Sequence, residues 1–126
     1  DGIRDVAVTE FRRVLFRSDG YILINTNRSF EQLGLGELVR DRPAERLLTV
    51  AATEIAMRHI GRPLPNVPLL GGFAAASGCI RLESVLKAID DKFSGQIAQG
   101  NHAAAREAYG IVRAEREEAA QHAHPD

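Results

Sequence analysis

Two short apolar runs predict β-strands in the first half of the chain. They are residues 21–24 and Leu47–Val50. Both runs are continuous rather than alternating, which is expected when helices cover both faces of a parallel sheet. Residues 30–39 lie between them and predict short helical turns. Because two strands are too few for a stable sheet, we expect part of the sheet to come from sequence outside these two runs.

A first helix is predicted directly after the second strand. Thr53 is a suitable N-cap, Ile55 and Ile60 fall on one face, and Gly61 can end the helix in a left-handed conformation. A strand followed by a helix, occurring twice, is the alternation of a layered α/β domain.

The next helix is predicted to be apolar on nearly every side. Asn66 can cap it, and Gly78 can end it. Its body, residues 69–77, is small or apolar throughout and contains Gly71 and Gly72. Such a helix lets other backbones approach closely, so we expect it to be buried rather than amphipathic.

Two amphipathic helices are predicted to follow. The first has an apolar face at helical spacing, made of Leu82, Val85, Leu86, Ile89 and Phe93. The second presents one face made of Ile97, Asn101, Ala104, Ala108 and Val112. Asn101 is the polar member of that face, so we expect its side chain to bond to the backbone of a neighbouring loop.

Charge and composition exclude several classes of function. The formal net charge is -1 and the chain has no basic cluster, so it lacks the electrostatic footprint of a nucleic-acid-binding protein. The longest apolar run is far shorter than the ~20 residues that a membrane-spanning helix needs. We therefore expect a cytoplasmic protein with no membrane partner.

The inventory of reactive side chains is small. Cys79 is the one cysteine, whereas an iron–sulfur cluster needs about four. We interpret Cys79 as a core residue. The four histidines show no metal-binding spacing, and no acid–base or nucleophile set can be assembled. The chain is expected to hold no catalytic residue and no metal.

The polar loop after the first strand is the candidate site. Asn25, Asn27, Arg28 and Ser29 follow the strand, where open α/β sheets place ligands. Arg28 can pair with a phosphate or a carboxylate, and the amides can orient that group. The alternative is that the amides and Ser29 build a turn, with Arg28 on the surface or at a subunit contact.

Several segments together resemble a known family. A Pro-Asn loop is followed by LLGGFAAASG, then by LESVLKAIDDKF and by AAAREAY; upstream lie GYILINTNRS and LLTVAATEIAMRHIGRPLPN. From about Gly20 to about Val112, this pattern is similar to the C-terminal part of the gamma subunit or domain of the 2-oxoacid:ferredoxin oxidoreductases, the pyruvate/ketoisovalerate group.

The resemblance implies a fold and a function. The fold would be a layered αβα domain with a mostly parallel sheet, truncated on its N-terminal side and helical towards its C-terminus. The complex would decarboxylate a 2-oxoacid oxidatively with coenzyme A and pass electrons to ferredoxin. Thiamine diphosphate and iron–sulfur clusters would lie in the alpha, beta and ferredoxin-like subunits, and the gamma part would support the assembly near the coenzyme A side.

The resemblance leaves two questions open. It does not choose among pyruvate, branched-chain and aryl 2-oxoacids as the substrate. A different class of function, a non-catalytic α/β binding or interaction domain, also fits the helix pattern.

Residues 1–18 do not fit this pattern. They contain DGIRD and VTEFRRVLFRS, which resemble a translated sequencing adapter, and such segments are set aside before a fold is inferred. The alternative is a natural strand–helix segment. We therefore expect a non-native segment at 1–18, the gamma-domain part at 19–112 and a polar helical or disordered tail at 113–126.

Overall fold

A pair of parallel strands forms the sheet of the computed structural model, which describes residues 21–37, 40 and 43–123. Strand β1 spans Ile22–Asn25 and strand β2 spans Leu47–Val50. Ile22 lies opposite Leu47, and Asn25 lies opposite Val50. The parallel pairing and the helices around it confirm the predicted α/β class, and β2 has the predicted bounds. The adapter-like residues 1–18 lie outside the described residues.

Helices make up most of the described chain. Turns at 30–34 and 36–37 and a 3-10 turn at Ala44–Arg46 connect the strands. Helix α1 spans Ala52–His59, α2 spans Asn66–Ser77, α3 spans Leu82–Lys92 and α4 spans Gly95–Ala123. The polar residues after 112 therefore continue α4 as far as Ala123.

The main core lies between the strands and helices α1, α2 and α4, and it is rich in alanine. Its buried members are Leu48, Val50, Ala52, Ile55, Ala75, Ala76, Ala104, Ala108 and Val112. A second cluster joins α3 to α2 and α4 and contains Ala74, Val85, Ile89, Ala98 and Ala105. Small side chains bring the backbones of α2 and α4 close together.

Helix α2 packs as its composition predicts. A Cβ added at Gly71 would lie 3.0 Å from the Cα of Ala105 and closer still to its carbonyl oxygen. A Cβ at Gly72 would lie 3.2 Å from a methyl group of Val112. Gly78 ends the helix with φ of 69°, in the left-handed region that glycine adopts without strain. Leu70 and Phe73 on α2 are exposed, so the prediction that this helix is buried on nearly every side was wrong for that face.

The two predicted N-caps were wrong. Helix α1 begins at Ala52, so Thr53 lies inside its first turn and Ala51 occupies the cap position. Helix α2 begins at Asn66 itself, with Pro65 before it and no side-chain cap bond.

Four side chains in the later segments differ from their predicted surroundings. Phe93, predicted on the apolar face of α3, lies just past that helix and is exposed. Ile97 is 61% exposed, although the next residue, Ala98, is buried in the second cluster. Asn101 is buried but donates to the carbonyl of Ile97 in its own helix, at 2.9 Å, rather than to a loop. Cys79 is exposed because it follows the left-handed turn at Gly78.

Candidate functional site

The loop after β1 is fastened to the start of α1. Asn25 donates from Nδ2 to the hydroxyl of Thr53 at 2.9 Å, and its Oδ1 accepts the backbone N–H of Thr53 at 3.3 Å. Asn27 donates to the carboxylate of Glu54 at 3.0 Å. The first N–H groups of a helix lack partners within the helix. Asn25 therefore supplies from another strand the cap that Ala51 cannot provide.

A second set of bonds shapes the loop itself. The hydroxyl of Ser29 accepts the N–H of Gln32 at 3.1 Å, and the Gln32 side chain accepts the N–H of Ser29 at 2.8 Å. The hydroxyl of Thr26 accepts the N–H of Arg28 at 3.1 Å. This reciprocal arrangement has the form of a capping box, and it starts the helical turn that follows.

Arg28 is the one predicted site residue whose side chain makes no such bond among the described residues. Its side chain is exposed, and no hydrogen bond or ion pair joins it to another residue in the described part of the chain. The structure thus brings Asn25, Asn27, Arg28 and Ser29 together at the carboxyl end of β1. Three of them hold the loop, and the guanidinium of Arg28 has no partner among the described residues.

Replacing Asn25 by alanine should weaken the joint between β1 and α1. Loss of a capping bond together with its partner bond is expected to lower the free energy of unfolding by about 1 kcal/mol, measured by urea unfolding. Asn66→Ala is the matched control, since Asn66 begins a helix without a side-chain cap bond. Equal effects of the two changes would show that the Asn25 bonds do not stabilise the fold.

A hollow of about 800 Å³ lies beside the loop but does not include its four predicted residues. Glu31, Arg40 and Leu47 are among the residues that line it. It is wide open, whereas ligand pockets usually enclose most of a bound small molecule. We therefore do not interpret this hollow as a ligand-binding site.

A polar cluster that sequence reasoning missed joins α1 to α4. Glu107 pairs with Arg58 through Oε2 and with His59 through Oε1, the latter at 2.7 Å. The hydrogen bond to His59 lowers the pKa of Glu107; burial opposes this shift, and the charge of Arg58 adds to it. Glu107 lies 48 positions after His59 and 49 after Arg58 in the sequence, so no local spacing could reveal the cluster. The cluster reads as a link between two helices.

The chemistry available to the described residues is limited. They contain no group of three or more metal-ligating side chains. The sequence has one cysteine, Cys79, whereas an iron–sulfur cluster is held by about four thiolates. None of the helices described here is sufficiently long and apolar to span a bilayer.

These features define a class: a helix-rich α/β domain whose polar loop follows a parallel strand and presents one unpaired arginine among the described residues. The chain belongs to the pyruvate ferredoxin/flavodoxin oxidoreductase family, whose model matches residues 5–111. The predicted resemblance to this family is confirmed.

Named relatives agree with that assignment. The pyruvate/ketoisovalerate oxidoreductases common subunit gamma of Pyrococcus furiosus is 39% identical over 93 residues, which are 74% of this chain and 49% of that protein. The pyruvate synthase subunit PorC of Methanosarcina barkeri is 40% identical over 99 residues, 79% of this chain and 51% of that protein.

A solved structure shares the fold. The crystal structure of pyruvate oxidoreductase subunit PORC from Thermotoga maritima superposes with a TM-score of 0.62 and 30% identity. The superposition covers 75% of this chain and 51% of the other. The chain therefore spans about half the length of the relatives that it matches.

Proposed function

We propose that this chain is part of the gamma subunit of a 2-oxoacid:ferredoxin oxidoreductase. The complex would convert pyruvate or a related 2-oxoacid to its acyl-coenzyme A and pass the electrons to ferredoxin. The observation that carries this proposal is the family match over residues 5–111, supported by relatives that are named as gamma or PorC subunits. The cytoplasm is the expected location.

The subunit would act by assembly and binding rather than by catalysis. Oxidative decarboxylation needs a group that stabilises a carbanion, which thiamine supplies, and electron carriers for its second half. The described residues offer neither cluster ligands nor an acid–base set in a closed pocket. As the family resemblance implies, thiamine diphosphate and iron–sulfur clusters would be held by the alpha, beta and ferredoxin-like partner subunits.

The loop after β1 is the part that we place nearest to coenzyme A. Coenzyme A carries phosphates, and arginine binds phosphate through two parallel N–H groups. Asn25 and Asn27 hold the loop against α1, so Arg28 would meet its ligand from a backbone that is already ordered. Such preorganisation reduces the entropy lost on binding.

The decisive experiment changes Arg28 in the complete subunit within its assembled complex. Arg28→Ala is expected to raise the KM for coenzyme A about tenfold, because a charge-assisted hydrogen bond contributes about 1.5 kcal/mol, while kcat stays the same. The KM of Arg28→Lys should fall between those of the wild type and Arg28→Ala. Lysine keeps the charge but cannot bind a phosphate through two parallel N–H groups. Initial rates at varied coenzyme A concentration measure both quantities.

A control variant and a measurement of subunit association complete this test. Arg62→Ala is the matched control, because Arg62 is an exposed arginine in the loop after α1 and makes no ion pair among the described residues. Weaker subunit association with an unchanged KM would assign Arg28 to an interface instead. If Arg28→Ala and Arg62→Ala both leave assembly and the KM unaltered, the loop is only a turn.

A further inference from the structure

Strand β2 has an outer edge that faces away from β1, and both backbone N–H groups on that edge already donate hydrogen bonds. The carbonyl of Val50 accepts the N–H of Thr26 at 3.0 Å, so the backbone groups of Val50 face the β1 side. Because successive residues of a strand direct these groups to opposite edges, the N–H groups of Leu47 and Thr49 point outward. An edge with free donors is a template for another strand.

Each outward donor has a partner that is not a strand. Leu47 donates its N–H to the carbonyl of Ala44 in the 3-10 turn. Thr49 donates its N–H to Oε1 of Glu115, at 3.1 Å, and Glu115 lies 66 positions further along the chain in α4. A turn and a carboxylate therefore take the places that a neighbouring strand would fill.

Glu115 is held in position by its neighbours on α4. Val112, one turn earlier, is fully buried in the main core. Arg116 donates to the carbonyl of Ala75 at 3.3 Å, and its guanidinium lies 5.8 Å from the centre of the Tyr21 ring. Glu115 and Arg116 both lie just past the residues that the family model matches.

The position of the Glu115 side chain disfavours its charged form. Burial raises the pKa of Glu115, against the bond from Thr49, and the nearby charge of Glu118 raises it further. An acid whose pKa is higher in the folded state contributes stability at low pH and loses it as the pH rises through that pKa. A neutral glutamine would accept the same bond without that loss. Stability alone therefore does not explain a glutamate here.

We propose that Glu115 closes the outer edge of β2 against pairing with β2 of a second copy of this chain. Leu47–Val50 is a short apolar run on a sheet edge, and an identical strand would present matching apolar faces. A strand that approached this edge would have to displace and desolvate a carboxylate, which is unfavourable. Natural proteins block such pairing with charged side chains at the edge and by covering the edge with a helix.

The test compares variants of the complete protein by sedimentation at increasing concentration. Glu115→Ala is expected to strengthen self-association about tenfold, since it frees one backbone donor for an intermolecular bond. The self-association of Glu115→Gln should fall between that of the wild type and that of Glu115→Ala, because its amide oxygen still accepts from Thr49 but no charge opposes desolvation. Glu117→Ala, an exposed change of equal charge on the same helix, is the control.

A proline separates edge pairing from general loss of structure. Thr49→Pro removes the outward N–H, and proline is tolerated on edge strands. The double variant Glu115→Ala/Thr49→Pro should therefore self-associate no more than the wild type. If Glu115→Ala associated only because it is unstable, the second change would instead increase self-association. Unchanged association in folded Glu115→Ala, association of Glu115→Gln equal to that of the wild type, or self-association that persists with Thr49→Pro would each overturn the proposal.

Discussion

Gly71→Ala should lower the free energy of unfolding by about 2–3 kcal/mol, although alanine is ordinarily the better helix former by about 1 kcal/mol. The added methyl group would overlap the backbone of Ala105, where the Cα and the carbonyl carbon both lie at 3.0 Å. Backbone atoms inside a helix cannot move aside as a flexible side chain can. Helices α2 and α4 would therefore have to separate along their main contact.

Gly110→Ala is the matched control for this prediction. Gly110 also lies within a helix, α4, but an added Cβ there meets nothing within 4 Å. That change should raise the stability by up to about 1 kcal/mol through helix propensity alone. Urea unfolding of both variants measures the difference, and a stabilising Gly71→Ala would contradict the close packing of α2 on α4.

The elements with strong local signals could be predicted from sequence. The apolar run Leu47–Val50 gave the bounds of β2, since four large or β-branched side chains suit a strand covered on both faces. Gly61 and Gly78 both have positive φ and follow the last turns of α1 and α2. Glycine marks such positions because other residues rarely adopt that conformation.

Contacts between distant segments were beyond the sequence patterns. Thr53 looked like a cap, yet the cap bond comes from Asn25, 28 positions earlier. The apolar face of α4 was predicted to begin at Ile97, which is exposed, whereas the neighbouring Ala98 in the same turn is buried in the second cluster. Periodicity identifies which face of a helix is apolar, but it does not say where along the helix the neighbouring elements end.

The candidate site was predictable in its place but not in its internal bonds. A polar loop after a parallel strand is a general ligand position, and Asn25, Asn27, Arg28 and Ser29 do lie together there. The hydrogen bonds of Asn25 and Asn27 go to Thr53 and Glu54, which come close only because β2 pairs with β1. The role of Arg28 towards a ligand stays a prediction.

Leu48→Ala should have the largest effect of any truncation in the main core, about 3–5 kcal/mol. Leu48 is 0% exposed and is the largest of the fully buried side chains. Five of the nine buried residues in its cluster are alanines. An alanine has no rotatable side chain with which to fill a vacated space, so the cavity would remain, and the loss should fall in the upper part of the usual range.

Leu64→Ala removes the same atoms from a side chain that is 53% exposed, so it should change the stability by no more than about 0.5 kcal/mol. Both leucines can be compared by urea unfolding in the complete protein. Because domains are stable by only about 5–15 kcal/mol, Leu48→Ala should also make the protein sensitive to mild heating. A difference of under 1 kcal/mol between the two variants would show that the strands repack around the lost side chain and that the alanine-rich core is more adaptable than its composition implies.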